Sequence, residues 1–183
     1  NAAAVSAVRK WICGEFSYPY SSTLTSAAPI IKKALADVGP NRDVVELSQK
    51  ISVIYSWENV ITLQDEGYVY MGGAHGMPTV GQASFLLSDG TMLTAEMLPS
   101  IEKLRPYIIE AMMSEYGMSR SELKEMCFDN LDLPMGTPSV NANGLHIQYQ
   151  PYEIAPYSAG APECTIPVEK IRSLLSAQAL RFF

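Results

Sequence analysis

Two short segments hold the residue types that can do chemistry. Gly72-Gly73-Ala74-His75-Gly76 sets one imidazole among three glycines. Tyr152-Glu153-Ile154-Ala155-Pro156-Tyr157-Ser158-Ala159-Gly160 sets one carboxyl group among aromatic rings and a proline. Neither has the period of a helix or a strand. Glycine and proline gather in this way where the backbone must take unusual dihedrals or hold a polar group at one spot.

His75 has the chemistry of a general base or a ligand contact, because imidazole changes charge near neutral pH. No triad motif accompanies it, so the reading adopted is structural: a buried imidazole, hydrogen-bonded to fix its loop. Glu153 lies in a segment too apolar for a solvated carboxylate, and a buried carboxylate must be paired or raised in pKa. Glu153 is therefore expected to accept hydrogen bonds from His75 or from backbone N–H groups and to staple the two segments together. A glycosidase reading needs a second acid nearby. Asp89 and Glu163 are candidates, but their spacing singles out neither. His75, His146 and Glu153 have the types of a two-His, one-carboxylate metal site but none of its local spacing, so neither metal nor cofactor is expected. Tyr68, Tyr70, Tyr149, Tyr152 and Tyr157 gather near the two segments, for core packing or for an interface. The chain has no G-x-S-x-G, no P-loop and no dinucleotide fingerprint. No catalytic residue is assigned.

The elements that must position these segments follow from periodicity. Residues 2–13 carry Val5, Val8, Trp11 and Ile12 at helical spacing, with a stop at Gly14. A strand is expected to precede this helix in a longer chain. Ser26 to Val38 is expected to be a second helix with Ile30, Ile31, Ala34, Leu35 and Val38 on one stripe, ended by Gly39-Pro40. Ile51 to Leu63 and Tyr68 to Met71 read as strands around an Asp65-Glu66-Gly67 turn. Val80 to Leu87 and Thr91-Met92-Leu93 flank Ser88-Asp89-Gly90 as a hairpin. Ile101 to Tyr116 is helical, and Ser119 with Glu122 forms a capping box before a short helix to about Met126. Asn143-Gly144 joins strands at Ser139 to Asn141 and Leu145 to Gln150. Alternation there puts Leu145, Ile147 and Tyr149 inside and His146, Gln148 and Gln150 in water. Glu163 to Ile166 is a last short strand, and Val168 to Leu175 a helix begun by Pro167. Helices at the start, middle and end with strands paired as hairpins argue α+β: an antiparallel sheet built from hairpins, with helices packed on one face.

The 183 residues suit one domain that buries roughly 70% of its unfolded surface. Apolar content of 48% excludes a disordered chain. No apolar run approaches the ~18 residues a membrane span needs, and the first residues lack a basic signal-peptide region. Net charge is −6, and the basic residues are scattered. Nucleic acid and anionic membrane are therefore excluded as partners, whereas a basic protein or a cationic ligand is electrostatically suitable. Cys13, Cys127 and Cys164 form no CxxC and no zinc spacing. They allow one disulfide, for which Cys127 and Cys164 are placed to meet, or three buried thiols, the reading preferred.

The order strand, Gly-Gly-Ala-His-Gly, hairpin, helix pair, Asn-Gly hairpin, Tyr-Glu-Ile-Ala-Pro-Tyr-Ser-Ala-Gly, Thr-Ile-Pro resembles the RsiV-like family, the extracellular domain of lysozyme-sensing anti-sigma factors. The same domain occurs beside a peptidoglycan deacetylase. The resemblance covers Ile51 to about Leu175 and suggests residues 1–50 as a helical segment packing on an RsiV-like α+β unit at 51–183. In that family one or two strands, absent here, usually precede the helix. The resemblance implies an exported binding module of the bacterial cell envelope, periplasmic or cell-surface and compatible with a lipid anchor, that is not an enzyme. Its partner would be lysozyme, another basic protein or a cell-wall glycan. Its motif residues would be Gly72, Gly73, His75, Gly76, Tyr152, Glu153, Pro156, Tyr157 and Gly160. The alternative is a domain that binds or processes cell-wall polysaccharide, with Glu153 and His75 as acid and base.

Overall fold

A computed structural model describes residues 1–38 and 46–183. Helix α1 spans Ala2–Glu15, one residue past the expected stop. The Asn1 side chain caps it by accepting the Ala3 N–H at 2.9 Å. Val8, Trp11 and Ile12 pack over Leu63, Ala83 and Phe85, with Trp11 edge-on to Phe85. Val5, expected on the same stripe, is exposed. Helix α2 (Ala28–Val38) buries Ile30 but leaves Ile31 and Leu35 in water, contrary to the expected stripe. The Gly39-Pro40 stop and the Val38 side chain lie outside the described residues.

Strands β1 (Glu46–Trp57), β2 (Val60–Tyr70) and β3 (Met77–Leu86) form an antiparallel meander, sheet A. The expected turn at Asp65-Glu66-Gly67 is strand interior; Asp65 pairs with Ile51 on one side and Gly81 on the other. The chain turns instead between Trp57 and Val60, where Glu58 takes φ +45°. Asp65 is buried in its strand, with Oδ2 accepting from Gln49 Nε2 at 2.9 Å. Strand β1 is an edge strand with Leu47, Val53, Ile54 and Trp57 exposed. The Thr91–Leu93 strand shrinks to a single bridge, Phe85 to Met92.

Helix α3 (Ile101–Tyr116) has the expected span, and Gly117 ends it at φ +62°. Helix α4 (Arg120–Met126) begins with the expected capping box: Glu122 N–H donates to Ser119 Oγ at 3.3 Å and Ser119 N–H to Glu122 Oε2 at 2.8 Å. Strands β4 (Thr137–Asn141), β5 (Gly144–Gln148) and β6 (Glu163–Ile166) form a second antiparallel sheet, B. Helix α5 (Val168–Ile171) is shorter than expected and passes into a 3-10 turn at Arg172–Leu174. Leu104, Ile108 and Met112 of α3 join Leu145, Ile147, Ile166 and Tyr149 in the main core. All three cysteines are buried free thiols. Burial pushes the Cys164 thiol up to about 12 and raises Cys127 as well.

The fold class is thus α+β, but with two small sheets in place of one. Val140 N–H on β4 points at β3, where it meets Ser84 Oγ at 2.8 Å. Two residues earlier the same edge carries Pro138, which has no N–H to donate, so the ladder cannot continue. Side chains make the joint instead. Thr62 Oγ1 donates to Val140 O at 2.7 Å and lies 2.7 Å from Ser84 Oγ. Ser139 Oγ donates to Gln82 Oε1 at 2.6 Å. The Gln150 amide accepts from Val80 N–H at 3.1 Å and donates to Val80 O, as an extra strand would. Because β5 is covered on both faces, the predicted wet face is wrong: His146 is 7% and Gln148 2% exposed. Gln148 reconciles burial with polarity by donating to the carbonyls of Ala161 and Pro162 at 3.0 and 3.2 Å.

Candidate functional site

The two segments singled out in the sequence meet at one end of the molecule. Gly72 and Gly73 take φ +88° and +100° as the chain leaves β2. At Gly76 the reason for glycine is space: a Cβ there would lie 2.3 Å from Cζ of Tyr68, whose ring crosses the backbone. The Tyr70 hydroxyl donates to Gly73 O at 2.9 Å. The imidazole of His75 comes within hydrogen-bond distance of Gly76 O, Nδ1 to O 2.9 Å. His75 is hydrogen-bonded, as expected, but it is exposed rather than buried.

The second segment is anchored by Ile154 and Ala155, both in the core. Between them and β5 the chain turns sharply, and Tyr152 sits at φ +68° and is 47% exposed. A bulky residue in the left-handed region costs of order 1–3 kcal/mol and persists only where its surroundings impose it. Here Glu153 imposes it. Its N–H donates to Gln150 O at 3.1 Å, and its carboxyl accepts the Gln150 N–H at 2.8 Å. Glu153 is exposed, which corrects the buried carboxyl expected from its apolar neighbours. Its hydrogen bond runs to backbone, one of the two partners expected. No hydrogen bond or ion pair joins it to His75 among the described residues.

The staple between the segments is Tyr157. Its ring stacks on His75 at 4.0 Å between centroids and 23° between planes. Its hydroxyl donates to Gly76 O at 3.0 Å. Tyr152 lies beside it at 5.7 Å. Pro156 opens the 3-10 turn Tyr157–Ala159 that presents the ring, and Gly160 closes it at φ +70°. The result is a platform of His75, Tyr157 and Tyr152 at the surface. Of the other expected tyrosines, Tyr149 is fully buried and donates to Pro134 O at 2.9 Å.

Among the acids and histidines weighed in the sequence, Asp89 lies elsewhere, paired with Arg181 at 2.5 Å. The Arg181 side chain beside it holds its carboxyl low, at about 2. Glu163 stands 3.6 Å from His146 Nε2 on sheet B. No group of three His, Cys, Asp or Glu among the described residues is placed to hold a metal ion.

A cleft of about 590 Å³ opens where the two sheets join, between the end of α1, β3 and the chain at Thr94–Glu96. On its wall Asp65 lies directly opposite Gly81 in the β2–β3 ladder. The Glu15 carboxyl stands over Gly81, 3.6 Å from where a Cβ would be. Asp65 Oδ2 accepts from Gln49 Nε2 at 2.9 Å. Burial raises the pKa of Glu15, and the charge and hydrogen bonding of Asp65 raise it further. Thr94 beside Glu96, on the same cleft, holds that carboxyl below the usual range. The sequence reading missed this cleft. Its one visible signal was an aspartate at a strand position, and Asp65 was read as part of a turn.

Residues 92–169 match the family model for DUF3298. Its description is a protein of unknown function. The DUF3298 match takes in α3 to β6 and the Tyr152–Gly160 segment, and leaves Gly72–Gly76 outside. A crystal structure of a DUF3298 family member from Bacteroides fragilis is similar at TM-score 0.73 and 17% identity, over 98% of this chain and 79% of that one. A DUF3298 family protein from Pseudomonas aeruginosa PAO1 is similar at TM-score 0.68 and 14% identity, over 96% and 80%. At such identity the likeness is one of fold. No curated protein matches this chain.

Proposed function

We propose that this chain is a binding module of the bacterial cell envelope, of the RsiV-like type, and that it recognises a basic protein without catalysis. The observation that carries this reading is the surface platform in which exposed His75 and Tyr152 flank the half-buried Tyr157. Rigid aromatic side chains held at a surface supply contact area at small entropic cost. A strained Tyr152 that the fold could have avoided with glycine supports a role beyond packing. His75 and Glu153 share no bond that would make them an acid–base couple. Export to the periplasm or cell surface belongs to the same proposal.

Lysozyme is the sharpest candidate, since lysozymes are commonly basic and this chain carries −6. Calorimetric titration with a c-type lysozyme at low and physiological salt tests it. The expected result is saturable binding that persists at physiological salt and weakens when Tyr152 is changed to alanine. Binding that disappears with salt would reduce the effect to bare charge, and a cell-wall glycan would take lysozyme's place as partner.

A further inference from the structure

The end of α1 is fastened to sheet A by three residues from three elements. Gln49 on β1 donates from one amide nitrogen to Glu15 O at 3.2 Å and to Asp65 Oδ2 at 2.9 Å. The Glu15 carboxyl and the Asp65 Cβ stand 3.6 and 3.9 Å from the point where a Gly81 Cβ would be, so the two acids converge over that residue. Their carboxyl groups are in hydrogen-bonding contact. Asp65 is 6% exposed, and its Oδ1 is closed off from solvent with no N–H or hydroxyl donor among the described residues. Ionised carboxylates are acceptors only, so two of them cannot bond to each other. The contact requires a proton on one of the pair. Oδ1 is the Asp65 oxygen free to receive it, since Oδ2 takes Gln49.

We propose that Glu15 and Asp65 share one proton, and that this proton clasps the last turn of α1 to sheet A in acid and releases it as pH rises. Glu15, the less buried of the two, carries the proton and donates it to Asp65. Burial, then the charge and hydrogen bond of Asp65, hold the Glu15 pKa above the ordinary glutamate range. The clasp is therefore complete below the free value and is lost as pH climbs through the raised one. No neighbouring charge takes the proton's place. Glu96 lines the same cleft and is itself negative, and among the described residues no Lys, Arg or His lines it. Lys10, on α1 itself, borders the adjoining groove beside Trp11 and forms an ion pair with neither acid. Once the proton leaves, two like charges meet at a buried spot. The end of α1 then keeps the Gln49 bond and the packing of Trp11 and Ile12. Trp11 and Glu15 form part of the cleft wall, so loosening this turn widens the cleft.

Two NMR measurements on the whole chain test this. A carboxyl-carbon titration gives the Glu15 midpoint, and amide exchange at Trp11 to Phe16 reports the clasp. In the wild type the midpoint is expected above the free value of about 4.3. Between about pH 4 and about pH 8 the protection of these amides is expected to fall by the factor that midpoint dictates, about tenfold for each unit above the free value. Glu15→Gln sets a permanent N–H donor where the acid proton sits. Its amides are expected to keep equal protection at both pH values. Asp65→Asn removes the charged partner, and the Glu15 midpoint is expected to fall back toward the free value. Where Asp65→Asn fails to fold, Glu15→Gln and the wild-type midpoint decide. A wild-type midpoint at or below about 4.3 overturns the proposal. So does a midpoint unmoved in Asp65→Asn. A loss of protection in Glu15→Gln equal to that of the wild type overturns it too, because the loss would then belong to another group.

Discussion

Tyr157 holds the glycine loop with two parts of one side chain: its ring stacks on His75 at 4.0 Å, and its hydroxyl donates to Gly76 O at 3.0 Å. The two contacts separate by substitution. Tyr157→Phe keeps the stack and removes one hydrogen bond, a cost of about 0.5–1.5 kcal/mol in urea unfolding. Tyr157→Ala removes both. Amide exchange at Ala74 to Met77 is then expected to accelerate well beyond its rate in Tyr157→Phe. Identical exchange in the two variants would show that the ring does not hold the loop.

Ser84 is the hub of the joint between the sheets. Its Oγ accepts the Val140 N–H and lies 2.7 Å from Thr62 Oγ1. Ser84→Ala leaves a buried N–H without a partner, which costs about 1–3 kcal/mol. Ser84→Ala and Thr62→Val combined are expected to cost less than their sum, since both break one network. Strict additivity in urea unfolding would contradict the network.

His146 fixes the sign of a pH effect. Burial lowers its pKa, and the Glu163 charge 3.6 Å away opposes this without winning. The fold therefore favours the neutral ring. The stability this contributes is present above the free value of about 6.5 and is lost as pH falls from there through the depressed folded value. The urea midpoint is expected to be lower at pH 5.5 than at pH 7.5, and the gap to narrow in His146→Gln. An NMR titration midpoint for His146 above 6.5 would reverse the argument.

What could be read from the sequence was what depends on local chemistry. The α3 span, the Ser119–Glu122 capping box and the pairing around Asn143-Gly144 are local and were legible. The hairpin turn itself falls one residue early, on Ala142-Asn143, because Gly144 is needed in the strand, where a Cβ would lie 2.3 Å from Ile166 O. Asp65 was misread because Asp-Glu-Gly has the composition of a turn, whereas His146 and Gln148 were misread for one shared reason. Alternation assigns a polar residue to water, and it cannot know that a second sheet or a helix covers that face. The two segments were recognisable as partners from their composition, yet the residue that joins them was not. Glu153 was the obvious polar group, whereas Tyr157 joins through stacking, which leaves no mark in spacing. The cleft was hidden because α1, β2 and β3 supply it from positions far apart in the chain.

The joint between the sheets has a consequence for divergence. A backbone ladder accepts nearly any side chain, so each sheet can drift in sequence and keep its shape. The joint is made of Thr62, Gln82, Ser84, Ser139 and Gln150, and passes or fails with those particular residues. Homologues that lose them would keep both sheets and set them at another angle. Gln82 and Gln150 also line the cleft, so the same few substitutions would reshape what it admits. The shape of the cleft can change at this joint while the framework on either side is inherited intact.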